Sequence, residues 1–264
     1  MLKRDVRSSE DLQIYLQEQA EKTTRLFHYT TLESLLCIIK NQTFRLTRMD
    51  LMNDKAEKIL GGRKDGTASY VMSFTRDKEY VSMWAIYGRP SGIKIRLDFD
   101  RLLFQKTINK NFYSDSEKLH KLAPVSSLYK SVFSKHDWLI SDIVYLDKDK
   151  KQFRHNEDRF INIIADQYSI EDLAGFVKYD AWEFERETRL RVRIGSGYEN
   201  FAIDQYLKYI YVGLNKELIK TFRVTFNPWL TDEMKSMIRD TLRIAAGFEI
   251  PCFDSINDGE IGEL

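Results

Sequence analysis

The sequence contains few of the residues that mark several classes of protein. Its 264 residues include only two cysteines, four prolines and twelve glycines. So little glycine and proline excludes a collagen-like or low-complexity chain. The two cysteines, Cys37 and Cys252, stand far apart, which excludes a disulfide framework and gives no metal-ligand spacing. We expect both to be buried or incidental thiols in a reducing compartment.

Long apolar runs and an excess of one charge are also lacking. No apolar stretch approaches the roughly 18 residues of a membrane span, and residues 1–7 lead into polar sequence without the apolar core of a signal peptide. The chain has 41 Lys and Arg against 40 Asp and Glu, a net charge of +1, whereas proteins that bind duplexes electrostatically usually have a basic excess. These absences predict a cytoplasmic protein with no membrane partner.

The residues that are present suit a globular fold. Hydrophobic residues make up 43% of the chain and aromatic residues 13%, and strand and helix patterns are mixed without regular βαβ alternation. We therefore predict an α+β single domain with a mixed or antiparallel sheet and flanking helices. The predicted divisions are an N-terminal helix in residues 1–25, a catalytic-like domain in 26–248 with an insertion or loops at about 103–150, and an acidic tail in 249–264.

Within this frame the local patterns predict individual elements. Residues 93–99 alternate apolar and charged side chains and form the clearest half-buried strand. Further strands are predicted at 25–30, 43–47, 70–75, 209–213, 222–226 and 248–253. Helices are predicted at 8–20, 30–41, 79–87, 153–168 and 231–246, and a further short helix is expected to begin near Asp54.

A first candidate cluster is the run from Phe27 to Thr30. Thr30 and Glu33 form a capping box that places His28 between a strand end and a helix start. Such a junction can present an imidazole and free backbone amides to a ligand. The alternative is a histidine that is hydrogen-bonded at the edge of the core.

A second cluster combines a strand with the helix that follows it. Ser73 and Thr75 share one face of the predicted strand, while Phe74 points to the other. Trp84 and Tyr87 are three residues apart and share a helix face. These residues can line a ligand site, but hydroxyl residues are common on strands, and the two aromatic residues can equally belong to the core.

A third cluster is the charged segment 182–189. If it is extended, Glu183, Glu185 and Glu187 point to one side, where they repel one another unless a cation or ligand offsets them. If it is helical, Glu185 and Arg189 form an ordinary exposed ion pair. The apolar residues that follow favour a strand beginning by about Glu187.

Several familiar catalytic patterns are missing. The sequence has no phosphate-binding Walker loop and no Gly-x-Ser-x-Gly nucleophile motif. His120, His136 and His155 stand singly in polar surroundings, so that we expect no metal site.

Taken in order, these motifs resemble the bacterial domain-of-unknown-function family 2971, and the resemblance runs from about residue 26 to 240. The chain has Lys55 where that family usually has proline. The motifs are Phe27-His28-Tyr29-Thr30-Thr31, Asn53-Asp54 with Glu57, Ser73-Phe74-Thr75, Met83-Trp84 with Tyr87-Gly88, Gly92 before a strand, and Trp182 with Glu185, Glu187 and Arg189.

The layout of that family is similar to that of ADP-ribosyltransferases, whose split sheet forms a cleft for NAD. The resemblance implies that His28 holds the ribose next to nicotinamide or the neighbouring phosphates, that Glu187 is the catalytic carboxylate and that Glu185 completes a Glu-x-Glu pair. Phe74, Trp84 or Tyr87 would cover the nicotinamide ring. The NAD-binding residues implied in this way are His28, Tyr29, Thr30, Ser73, Thr75, Trp84 and Tyr87.

The function expected from this resemblance is NAD-dependent ADP-ribosylation of a protein or nucleic acid by a bacterial toxin or phage-defence effector. NAD would be a co-substrate, no metal would be needed, and an antitoxin or regulator protein would be a further partner. One alternative is an NAD glycohydrolase or nuclease that uses the same cleft. Another is a non-catalytic binding or scaffold module in which the charged strand only forms ion pairs.

Overall fold

The computed structural model describes residues 9–22, 25–52, 68–76, 79–88, 92–98, 112–114, 138–147, 152–155, 159–161, 175–194 and 208–256. The helices are α1 (Ser9–Glu21), α2 (Leu32–Asn41), α3 (Val81–Tyr87), α4 (Lys216–Lys220) and α5 (Asp232–Ala246), with 3-10 helices at Met49–Leu51 and Asp180–Glu185. The strands are β1 (Arg25–Thr31), β2 (Thr43–Arg48), β3 (Ala68–Thr75), β4 (Gly92–Asp98), β5 (Phe112–Ser114), β6 (Trp138–Asp142), β7 (Val144–Asp147), β8 (Gln152–His155), β9 (Arg159–Ile161), β10 (Val177–Tyr179), β11 (Glu187–Ile194), β12 (Tyr209–Gly213), β13 (Arg223–Phe226) and β14 (Cys252–Phe253).

The chain forms two compact units, each built from separate segments of sequence. Strands β2, β3 and β12 contain three of the points at which the chain passes from one unit to the other. The first unit consists of Met1–Lys22, Arg45–Ser73 and Phe112–Tyr211. The second consists of Thr23–Phe44, Phe74–Asn111 and Val212–Leu264.

In the first unit, β6 and β7 are adjacent in sequence and take part in different sheets. β6 pairs antiparallel with β11, with Leu190 opposite Ile140, and α1 packs against β6. β7 lies between β10, which is parallel to it, and β8, which is antiparallel. Val144 and Tyr145 are fully buried, so that β7 lies in the interior of the unit.

In the second unit, β4 is the central strand. It pairs antiparallel with β1 on one side and with β13 on the other, where Ile95 lies opposite both His28 and Val224. β14 adds to β13 in parallel, and α2 packs against α5. Because alternate residues of β4 point to one face, Ile93, Ile95 and Leu97 are all buried.

The cap of α2 differs from the predicted one by a single residue. The hydroxyl of Thr31, not Thr30, accepts a hydrogen bond from the backbone N–H of Ser34 at 3.3 Å. Thr30 is instead buried in β1 opposite Ile93. The strand therefore continues one residue further than the capping-box pattern indicates.

The structure confirms a mixed α and β architecture with mostly antiparallel strand pairs and flanking helices. The helix predicted at 153–168 is wrong at its start, because β8 and β9 form an antiparallel pair there, with Phe153 opposite Ile161. The region 103–150 contains β5, β6 and β7. The helix start near Asp54, and His120 and His136, lie outside the described residues.

Candidate functional site

The carboxylate cluster consists of Lys178, Glu185, Glu187 and Arg189, and all four belong to the first unit. Lys178 lies on β10, Glu185 ends the 3-10 helix, and Glu187 begins β11. Arg186 separates the two carboxylates in a left-handed conformation with φ of 41°. The strand begins at Glu187 as predicted, and the chain is helical from Asp180 to Glu185, so that the extended alternative is wrong for Glu183 and Glu185.

Despite this turn, both carboxylates contact the same ammonium group. Lys178 Nζ lies 2.6 Å from Glu185 Oε2 and 2.8 Å from Glu187 Oε2. On the other side of Glu187, Arg189 Nε donates to Oε1 at 2.5 Å and Nη2 to Oε2 at 3.1 Å. The cation that the sequence pattern requires between repelling carboxylates is therefore Lys178, with Arg189 as a second one.

These ion pairs fix the charge of Glu187. Burial disfavours the charged form and raises the pKa of Glu187, but Arg189 and Lys178 have the larger combined effect and lower this pKa from 4.5 to about 2. Glu187 is consequently ionised at neutral pH. An ionised carboxylate can stabilise a positive charge that develops on a neighbouring ligand.

Two further side chains hold the start of β11 in place. The backbone N–H of Glu187 donates to the Tyr145 hydroxyl at 2.8 Å, and the Thr188 hydroxyl donates to Asp142 Oδ1 at 2.8 Å. Burial, and next the charge of Glu187, raise the pKa of Tyr145 well above its usual value, so that its hydroxyl stays protonated. The Lys178 ammonium also lies 5.3 Å from the centre of the Trp182 ring.

The cluster is deeply buried. The residue exposures are 4% for Glu185, 2% for Glu187 and 0% for Arg189. A ligand that contacts Glu187 therefore has to replace one of its present partners or reach it after a local rearrangement.

The remaining predicted site residues fall in both units. Ser73 lies in the first unit on β3, where it is half-buried. The other six belong to the second unit and lie on β1, at the end of β3 and on α3: His28, Tyr29, Thr30, Thr75, Trp84 and Tyr87.

Within the second unit, some of these residues are in contact. The rings of Tyr29 and Trp84 meet edge to face with centroids 4.8 Å apart, and the His28 ring lies 5.7 Å from that of Phe74. Trp84 is fully buried, as the core alternative predicts, whereas Tyr87 is 37% exposed. Their shared helix face therefore does not give them a shared environment.

Sequence reasoning missed Lys178 altogether. It contacts Glu185 and Glu187 because β10 lies beside the turn that leads into β11, and no local spacing signals such a contact. Among the described residues, no group of three or more His, Cys, Asp and Glu side chains could hold a metal ion. None of the described helices is long and apolar enough to cross a membrane.

Comparison with known proteins adds one finding. Residues 83–190 match the family model described as Protein of unknown function (DUF2971). The DUF2971 resemblance is confirmed. The DUF2971 match includes Trp84 and all four residues of the carboxylate cluster, while His28 and Ser73 precede it. Searches of curated proteins and of solved structures gave no match.

Proposed function

We propose that the protein is an NAD-dependent ADP-ribosyltransferase that modifies a protein or nucleic acid. The observation that carries the proposal is the convergence of Glu185 and Glu187 on Lys178, with Glu187 ionised at neutral pH. The NAD-binding role of the residues on β1, β3 and α3 is implied only by the resemblance, so that it is part of the proposal and does not support it.

In the proposed reaction, the bond between ribose C1′ and the nicotinamide nitrogen breaks, and the bonding electrons leave with nicotinamide. The ribose becomes oxocarbenium-like, as a sugar does in glycoside cleavage. Glu187 would accept a hydrogen bond from the ribose 2′-hydroxyl and stabilise the positive charge. Glu185 would orient the acceptor nucleophile, which bonds to C1′ and loses its proton to solvent.

Arg189 makes this role compatible with the ion pairs. It holds Glu187 by two hydrogen bonds, at 2.5 and 3.1 Å. The 2′-hydroxyl would then need to replace only the contact between Glu187 and Lys178. Lys178 would keep its 2.6 Å contact with Glu185, so that no buried charge is left without a partner.

The test is transfer of label from NAD that carries radioactive phosphate in its adenylate half. Purified protein is incubated with this NAD and a bacterial lysate, and label is followed into protein and nucleic acid. We expect the wild type to transfer label and Glu187→Gln to transfer at least about 100-fold less, since one stabilising group at a transition state contributes about 10²–10³-fold. Glu217→Gln is the matched control, because Glu217 is exposed and paired only with exposed Lys220 among the ion pairs described.

The products distinguish the alternatives. Nicotinamide release without transfer indicates an NAD glycohydrolase, and RNA cleavage without NAD indicates a nuclease. Failure of folded wild type to release nicotinamide or transfer label, over a range of lysates and salt concentrations, contradicts the proposal. Toxicity on expression that Glu187→Gln abolishes would support an effector role and motivate a search for an antitoxin.

The burial of the cluster favours a second candidate, a non-catalytic binding or scaffold module. Glu187 is only 2% exposed, and buried ion pairs often have a purely structural role. This candidate predicts that Glu187→Gln lowers the free energy of unfolding and leaves every measured turnover at background, as in the wild type.

A further inference from the structure

The 3-10 helix that leads into the carboxylate cluster carries two aromatic side chains near the surface. Trp182 and Phe184 are both half-buried, and their ring centroids lie 6.1 Å apart with planes inclined by 32°. Aromatic rings interact at this separation. Trp84, by contrast, is fully buried. The rings of Trp182 and Phe184, which we call the aromatic pair, therefore still have surface that a ligand can cover.

The helix places Trp182 on the same side as Glu185. Side chains three residues apart eclipse one another in a 3-10 helix, and both of these side chains contact Lys178. The Lys178 ammonium lies 2.6 Å from Glu185 Oε2 and 5.3 Å from the centre of the Trp182 ring. It also lies 2.8 Å from Glu187 Oε2. One ammonium group thus joins the Trp182 ring to both carboxylates, so that a ligand on the aromatic pair is adjacent to the carboxylate cluster.

The charges around the aromatic pair favour a positively charged ligand. Residues 178–189 contain four acidic and three basic side chains, and the helix itself carries Asp180, Glu183 and Glu185. The face of an aromatic ring also attracts cations, and the Lys178 ammonium already lies over the Trp182 ring within the distance at which this attraction acts. The rings and the carboxylates therefore select for the same charge, and a flat cation can stack on the rings as well.

We propose that Trp182 and Phe184 bind a planar aromatic cation of the N-alkylpyridinium class. This assignment rests on the proposed function, in which the cation is the nicotinamide ring of NAD, bonded to ribose C1′ through its charged nitrogen. A ring on the aromatic pair brings its ribose towards Glu187. Trp182 thereby takes the ring-covering role that the resemblance gives to residues of β3 and α3.

The attraction between the Trp182 ring and the pyridinium charge acts on bound NAD and not on the products. When the bond to C1′ breaks, the bonding electrons neutralise the nicotinamide ring, so that the attraction weakens as the reaction proceeds. An interaction of this kind lowers KM without raising kcat. Loss of Trp182 should therefore raise KM for NAD and leave kcat at or slightly above its wild-type value, which a purely structural role would not produce.

The first test is an NMR titration of the full-length protein with 1-methylnicotinamide, which has the charged ring without the ribose. The chain has four tryptophans, and the indole N–H signal that is missing in Trp182→Leu identifies Trp182. We expect a saturable shift of this signal. Neutral nicotinamide should bind about two- to fivefold more weakly, since a cation–π interaction at an exposed site contributes about 0.5–1 kcal/mol.

The second test compares the NAD kinetics of variants. Trp182→Leu should raise KM for NAD at least about fivefold, the equivalent of about 1 kcal/mol. Trp182→Phe keeps an aromatic ring and should lie between Trp182→Leu and the wild type. Trp229→Leu is the matched control, because Trp229 is also half-buried and belongs to the second unit. Circular dichroism establishes that each variant is folded.

The two tests separate the pyridinium site from the proposed function. Binding of 1-methylnicotinamide that Trp182→Leu abolishes, in a protein that does not turn over NAD, supports the site and contradicts the transferase alone. Turnover of NAD with an unchanged KM in folded Trp182→Leu contradicts the site alone. An unmoved Trp182 signal, or equal affinity for nicotinamide and 1-methylnicotinamide, would also overturn the site.

Discussion

Lys178 is the residue on which the charge balance of the carboxylate cluster depends. Its ammonium group contacts both Glu185 and Glu187, and all three side chains are buried. A buried ion pair adds little net stability, because desolvation offsets its attraction, but removal of one partner leaves an uncompensated charge. The cluster is therefore expected to be sensitive to loss of a single member.

We expect Lys178→Met to lower the free energy of unfolding by about 3–5 kcal/mol, because two carboxylates then lose their shared cation. Urea unfolding followed by circular dichroism measures this change. Lys220→Met is the matched control. Lys220 is exposed and pairs with Glu217 on the surface, where the loss should be at most about 1 kcal/mol. Equal losses in the two variants would show that Lys178 does not balance the cluster.

Glu187 should make stability depend on acid pH. Its pKa is about 2 in the folded protein against a usual 4.5, so that the unfolded chain takes up the proton first as pH falls. The contribution of Glu187 is thus fully present above about pH 4.5 and is lost as pH falls from there towards 2.

Urea unfolding at several pH values between 6 and about 3 tests this dependence. Glu187→Gln cannot titrate at this position, so that its stability should fall less steeply in the same window. The control Glu217→Gln should keep the wild-type slope. Parallel curves for the wild type and Glu187→Gln would contradict the low pKa.

At the scale of elements, the connection from α3 to β4 depends on a close approach of two glycines. A Cβ atom at Gly92 would overlap with the backbone carbonyl of Gly88. That carbonyl oxygen also accepts a hydrogen bond from Asn227 Nδ2 at 2.8 Å. The backbone can make this approach only because Gly92 has no side chain.

Gly92→Ala should therefore lower the free energy of unfolding by about 3 kcal/mol or more, since overlap with backbone forces the connection to move. Gly247→Ala is the comparison. Gly247 ends α5 at φ of 72° with open space around it, so that only the left-handed conformation opposes alanine, at about 1–2 kcal/mol. Thermal unfolding of both variants ranks the effects, and a smaller loss for Gly92→Ala would contradict this account.

The elements with a regular local pattern were the predictable ones. β4 alternates apolar and charged side chains and was found within one residue of its predicted bounds, and β11 begins at Glu187 as expected. Phe153, Phe160 and Ile161 have helical spacing, and the pairing between β8 and β9 overrides it. The contact of Lys178 with the glutamates depends on how β10 is placed, which no local pattern encodes.

At the scale of the whole molecule, each unit is built from separate segments of sequence. A fragment of the chain can therefore lack the strands with which its own strands pair. The DUF2971 match covers residues 83–190, which include β4 but neither of its neighbours. β1 precedes this range and β13 follows it. The range also ends within β11.

We expect a fragment of residues 83–190 to remain unfolded when expressed alone, because both edges of β4 would be unpaired and its apolar residues exposed. Circular dichroism and the dispersion of NMR amide signals, compared with those of the full-length chain, test this. A cooperative unfolding transition in the fragment would contradict the expectation. Adding residues 25–75 alone should not restore folding, since β13 would still be missing.

The position of β4 between β1 and β13 also has a consequence during synthesis. Val224 pairs with Ile95, and at a synthesis rate of about 5–20 residues per second roughly ten seconds separate the appearance of these two residues. Throughout that interval the nascent chain holds an apolar strand with one open edge, which invites association with other chains. The protein should therefore depend on ribosome-associated chaperones, and its second unit can be completed only after β13 and β14 have left the ribosome.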